Sequence, residues 1–106
     1  MILHTVNKSP YANCALSDCL NVASPPDAIL LIEDGVYGAI STPKATNEHL
    51  SCIKKLMREG TRFYALEPDL TARGISTSTL LANIRPIDDL TFVSLASAAR
   101  AIQSWF

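Results

Sequence analysis

The run Ala28-Ile-Leu-Leu-Ile-Glu-Asp34 sets the architecture of this 106-residue chain. From Ala28 to Ile32 it is apolar without alternation. Successive side chains of a strand point to opposite faces, so a strand with one wet face alternates polar and apolar residues. An unbroken apolar strand belongs in the middle of a parallel sheet that is covered on both sides.

The segments on either side agree with that placement. Upstream, Ile-Leu-His-Thr-Val (2–6) reads as a strand rich in branched residues. Ser9-Pro10 predicts a helix start, with Ser9 as the cap and Pro10 at the first helical position. That helix is expected to run to about Ala23, where Ser24-Pro-Pro-Asp27 stops it. Downstream, Gly35-Val-Tyr-Gly-Ala-Ile40 reads as a turn with a short helix. Asn47 to Glu59 then carries Leu50, Ile53, Leu56 and Met57 at helical spacing, with Gly60 as its stop. Arg62-Phe-Tyr-Ala-Leu66 is the third strand, and Glu67 to Ile75 holds one or two helical turns. Asn83-Ile-Arg-Pro-Ile87 is a fourth strand, with Pro86 pointing to an edge or to a strand end. Asp88 to Ala99 is a capped helix with Leu90, Phe92, Val93, Leu95 and Ala96 on or near one side. Ala101 to Phe106 is a short fifth strand. Strand–helix alternation of this kind builds right-handed crossovers. The expected fold is a three-layer α/β sandwich around a small, mainly parallel sheet of four to five strands, in a single domain over residues 1–106.

Composition narrows the function classes. Ten acidic residues nearly balance nine basic ones, with no basic stripe, so direct nucleic-acid binding by this chain is not expected. The apolar run 28–32 is too short to cross a bilayer, and Met1 to Pro10 lacks the features of a secretory signal, so a soluble cytoplasmic protein is expected. The three cysteines form no C-x-x-C pair, and His4 and His49 do not complete a ligand set with them. Neither a metal site nor a disulfide framework is expected. Glu33-Asp-Gly-Val-Tyr-Gly38 lacks the glycine pattern that cradles phosphate, so no nucleotide cofactor is expected. Glu33, Asp34, Asp69 and Arg73 lie at strand ends. They read as rim and capping residues, with Asp69 and Arg73 spaced for a local helical ion pair.

The cysteines are the remaining chemistry. Cys14 and Cys19 lie about 140° apart on a helix. Tyr11, Ala12, Ala15, Leu16, Cys19, Leu20, Val22 and Ala23 form the apolar face, while Cys14 falls on the polar side. Helix geometry makes Cys19 a core residue and Cys14 the exposed thiol, near the helix N-terminus where a thiolate is favoured. Cys52, beside Ile53, is expected to pack.

Five segments in series resemble the DsrH/TusB family: Leu3 to Pro10, Leu30 to Ile40, Tyr64 to Ile75, Ile87 to Leu95, and Gln103-Ser-Trp105. The resemblance covers essentially the whole chain. It implies a cytoplasmic sulfur-relay subunit that joins DsrE/TusD-type and DsrF/TusC-type partners in a heterohexamer with two copies of each. Such a complex passes persulfide sulfur between protein cysteines and on to a downstream sulfur-carrier protein, in sulfur oxidation or in 2-thiolation of the tRNA wobble uridine. It also implies that the principal sulfur-carrying cysteine sits on the DsrE/TusD-type partner. A cysteine at the position of Cys19 is a feature of the DsrH-type branch, whereas Cys14 has no counterpart. Cys19 is thus the candidate accessory sulfur carrier, if its helix face looks onto a partner. The alternative is a non-catalytic subunit that completes the assembly and shapes the partner's site. Ser104-Trp-Phe106 is expected to support assembly, unless Trp105 folds back on its own sheet.

Overall fold

Ala28, Ile29, Leu30 and Leu31 are each 0% exposed, so the segment that predicted a central strand occupies one. The computed structural model describes residues 1–41 and 47–106, with Asn47 and Glu48 described by backbone alone. Five strands, β1 (Ile2–Val6), β2 (Ala28–Leu31), β3 (Arg62–Leu66), β4 (Ile84–Ile87) and β5 (Ala101–Trp105), form one sheet in the order β4-β3-β2-β1-β5. Every neighbouring pair is parallel. The helices are α1 (Ala15–Val22), α2 (Asn47–Glu59), α3 (Glu67–Ala72) and α4 (Asp89–Ala98).

The order of the strands explains the layers. From β1 to β4 the chain steps in one direction, so right-handed crossovers put α1, α2 and α3 on one face. The last crossover returns past β1 to β5, which puts α4 on the other. The side chains agree. Leu16, Cys19 and Leu20 of α1, Ile53 and Leu56 of α2 and Leu70 of α3 pack with Val6, Ile29, Leu31, Phe63, Ala65 and Ile84. Phe92, Leu95 and Ala96 of α4 lie instead on Leu3, Leu30, Tyr64, Leu66 and Ile87. This is the expected three-layer sandwich, with all five strands parallel.

Some boundaries differ from expectation. The first helix begins at Ala15, because two local contacts divert the chain first. Ser9 Oγ accepts from the Tyr11 N–H (3.2 Å), and the Ser9 carbonyl accepts from Ala12 N–H (3.2 Å), closing a separate turn. Asn13 Oδ1 then takes the Ala15 N–H at 2.7 Å. An Asx contact of this kind ends one turn and opens the helix after it. Tyr11 and Ala12 are therefore outside α1, and Val22, expected on its apolar face, is exposed. The second strand ends at Leu31, and Glu33–Ala39 winds as a 3-10 helix.

Gly60 ends α2 with φ +110°, as expected of a glycine stop. Asp88 caps α4, its carboxylate accepting from Thr91 N–H at 2.8 Å. Hydrogen bonds from Thr91 hold that carboxyl below the usual range. The apolar residues of α4 do not share one side. Phe92, Leu95 and Ala96 face the sheet, whereas Leu90 and Val93 are 78% and 61% exposed.

Candidate functional site

The chain's thiols part company on α1. Cys14 is the residue preceding the helix and is exposed, its carbonyl accepting from Asp18 N–H at 2.9 Å. Cys19 lies one and a half turns further on and is 0% exposed, packed with Leu16, Leu20 and Ala23 in the core under the α1–α3 layer. Burial, reinforced by the negative charge of Asp27, pushes its thiol up to about 12. At neutral pH, on the order of one molecule in a hundred thousand holds this thiol ionised, and the thiolate is the nucleophile. Helix geometry read both positions correctly. Cys52 departs from expectation and is exposed, because Ile53 takes the inward position and its neighbour is turned about 100° away. A water-soluble maleimide should label Cys14 and Cys52 in the native chain and Cys19 only after denaturation. Labelling of Cys19 at the rate of the other thiols would contradict this burial.

The rim residues form a structural brace. Arg73 donates through Nε and Nη2 to Asp34 Oδ1, each at 2.9 Å. Its Nη1 donates to the Asp69 carbonyl at 3.2 Å, while the Asp69 carboxylate lies 4.0 Å away. The spaced pair expected from sequence is thus the looser contact, and Asp34 is the closer partner. Asp69 Oδ2 instead accepts from Glu33 N–H at 2.6 Å, holding Glu33 in the left-handed region (φ 50°). The exposed ion pair contributes at most about 1 kcal/mol. Its geometric effect is to fasten the 3-10 turn to α3.

A buried polar chain crosses three strands. Trp105 Nε1–H donates to His4 Nδ1 at 3.1 Å, and His4 Nε2 faces Asp27 Oδ2 at 2.9 Å. Since Nδ1 accepts, Nε2 carries the proton toward the carboxylate. Asp27 also accepts from Ile2 N–H (3.1 Å) and Ser24 N–H (3.4 Å). Desolvation raises the Asp27 pKa, but these hydrogen bonds and the His4 contact outweigh it and hold the carboxyl below its ordinary value. Trp105 therefore folds back onto its own sheet, and Phe106 is left 83% exposed. His4, Asp27 and Trp105 are adjacent only through strand register. Nothing in the local sequence marked His4 or Asp27 as members of one network.

His49 is the other buried imidazole. It meets Tyr11 edge-on at 5.9 Å, and its Nε2 has no hydrogen-bond partner among the described residues. Burial lowers its pKa. The unfolded chain takes a proton near pH 6.5 while the folded chain resists it, so folding stability is full above that pH and declines as pH falls below it. His49→Leu should flatten the change in urea midpoint between pH 7 and pH 5. An unchanged slope would contradict the assignment.

Among the described residues, no group of three His, Cys, Asp or Glu side chains could hold a metal ion. No helix among them is long and apolar enough to cross a membrane. A cavity of about 380 Å³ lies between α2 and the segment before β4, lined by Ile53, Lys54, Met57, Arg58, Leu81, Ala82 and Asn83, with no cysteine in its lining.

Comparison with known proteins agrees with this architecture. The solved structure of the ychN protein from E. coli superposes with a TM-score of 0.78 at 15% identity, covering 98% of this chain and 97% of that one. Protein Tm0979 from Thermotoga maritima gives 0.63 at 23% identity, covering 92% of each. These likenesses show a shared fold. In sequence, the chain is 34% identical over 104 residues to Protein TusB of Shigella flexneri, spanning 98% of this chain and 100% of that protein. It is 35% identical over 94 residues to Protein TusB of Yersinia pestis (strain Pestoides F), spanning 85% and 90%. The family model described as DsrH like protein matches residues 8–101. On these matches, the chain belongs to the DsrH/TusB family.

Proposed function

We propose that the chain is a subunit of a cytoplasmic sulfur-relay complex and acts there as its structural member. The complex passes persulfide sulfur between protein cysteines. Family membership supports the relay. The observation that carries the structural role is Cys19, whose thiol is sealed in the core with its pKa at about 12. Persulfide transfer needs a thiolate that can reach the outer sulfur of its donor. As the family resemblance implies, the sulfur-carrying cysteine is assigned to a DsrE/TusD-type partner, with a DsrF/TusC-type subunit completing the heterohexamer and a downstream carrier protein receiving the sulfur. Packing accounts for Cys19. The TusB relatives favour thiolation of the tRNA wobble uridine. The second reading keeps Cys19 as an accessory carrier that a partner exposes by lifting α1 from the sheet.

Reconstitution tests the proposal. The three subunits together should move sulfur from a persulfide-loaded donor to the acceptor, and omission of this chain should abolish transfer. A variant with Ser at Cys14, Cys52 and Ala at Cys19 should restore it. Transfer that proceeds without this chain, or that the cysteine-free variant fails to restore while folded, would overturn the structural role.

A further inference from the structure

Charge is matched differently at the two ends of the sheet. At the carboxyl ends of the strands, Arg73 is held by Asp34 and Asp69. Near the amino ends of β3 and β4, Lys54, Arg58, Arg62 and Arg85 line adjoining cavities. Among the described residues, none of these four is paired with a carboxylate. They are four of the chain's nine basic residues, in a chain of net charge −1, so the positive charge is concentrated here. Glu59, at the end of α2, is exposed and lines neither cavity.

The cavities give that charge an apolar wall. The cavity of about 380 Å³ between α2 and the segment before β4 takes Lys54 and Arg58, which are one helical turn apart. A second, of about 310 Å³, takes Arg62 and Arg85. It lies at the start of β3, where Thr61 and Arg62 run past the first β3–β4 pair, Phe63 with Ile84. Met57 and Asn83 line both cavities, so the two adjoin. Asn83 sits in the left-handed region (φ 71°) and turns the chain into β4. Ile53, Leu81 and Phe63 join Met57 in the apolar wall. Thr61 lines the second cavity and is 3% exposed, and its Oγ1 has no hydrogen-bond partner among the described residues.

We propose that the two cavities form one binding site for a small aromatic phosphate ester. This inference is independent of the sulfur-relay reading. Small-molecule sites combine apolar walls with a few polar groups that fix orientation, in a volume of about 300 Å³ or more. The head follows from the cations. The guanidinium fork matches phosphate oxygens two at a time, and a lysine adds a point charge. Four cations with no carboxylate among them exceed what a singly charged carboxylate head would neutralise, which favours a doubly charged phosphate. The body follows from the wall. A flexible thioether beside a phenyl ring accommodates an aromatic group, and sulfur–aromatic contacts are favourable. The unpartnered Thr61 hydroxyl is a further polar group at this wall.

Three probes separate the parts of the site: 1-naphthyl phosphate, 1-naphthol and inorganic phosphate. Each is titrated into the full chain and followed by backbone amide NMR shifts. The ester should bind about tenfold more tightly than either fragment, because only it meets both the wall and the cations. Its largest shifts should fall at residues 54–63 and 81–85. Arg58→Gln combined with Arg85→Gln should weaken the ester by about tenfold. Both side chains are exposed, so the fold should persist, which unchanged shifts elsewhere in the spectrum would show. Lys8→Gln, beyond the carboxyl end of β1, should leave binding as it was. Equal affinity for the ester and 1-naphthol would reduce the site to an apolar surface and overturn the proposal. Equal affinity for the ester and inorganic phosphate would reduce it to a cluster of cations and do the same. Shifts centred elsewhere, or an unaffected double variant, would also overturn it. So would loss of ester binding when the partner subunits are added, which would give this surface to a protein.

Discussion

Asp27→Ala should lower folding stability by about 3 kcal/mol, read as the change in urea unfolding free energy at pH 7. The magnitude follows from what the carboxylate satisfies. His4 is 2% exposed and its Nε2 has no other partner among the described residues, so removal of Asp27 strands a buried donor. Ile2 N–H and Ser24 N–H lose their acceptor in the same step. Loss at Trp105 should follow, because the ring that receives its N–H is no longer held. Asp27→Asn, which keeps one acceptor oxygen, should cost about half as much. The sign of the pH dependence is fixed by the depressed Asp27 pKa. The stabilisation is present above the unfolded value near 3.9 and is lost as pH falls through the lower folded value. The gap between wild type and Asp27→Ala should therefore close in acid. A gap that holds constant down to pH 2 would contradict the network.

Gly35→Ala should cost about 3 kcal/mol, the upper end for overpacking. A Cβ at residue 35 would sit 2.0 Å from the Val6 carbonyl oxygen, which already accepts from Ile32 N–H at 3.0 Å. The obstacle is strand backbone in the middle of the sheet and cannot rotate aside. Gly35 lets the 3-10 turn lie against the end of β1, where Asp69 and Arg73 then hold it. A loss below about 1 kcal/mol would mean that the turn can lift away from β1.

The legible parts of the molecule were those governed by local periodicity. The apolar run 28–32 announced a central strand, the spacing of Leu50, Ile53 and Leu56 announced α2, and Pro86, read as an edge or a strand end, lies on an edge strand. Helix projection also placed Cys19 in the core and Cys14 at the surface. The His4–Asp27–Trp105 chain was hidden because its members come together only when β1, β2 and β5 are in register. The start of α1 was misplaced because a Ser9 turn and an Asn13 contact compete with the Ser-Pro helix signal, and sequence spacing does not say which wins. Ser104-Trp-Phe106 was read as supporting assembly unless Trp105 folds back on its own sheet, and the indole N–H is spent on His4.

The most direct test of the structural role is intact-mass analysis after exposure to a persulfide-loaded donor, with and without the partner subunits, alongside Cys19→Ser. The account predicts no added sulfur on Cys19 in either setting, because its thiol is buried and raised to about 12. A gain of one sulfur atom that disappears in Cys19→Ser would contradict it and make Cys19 a carrier.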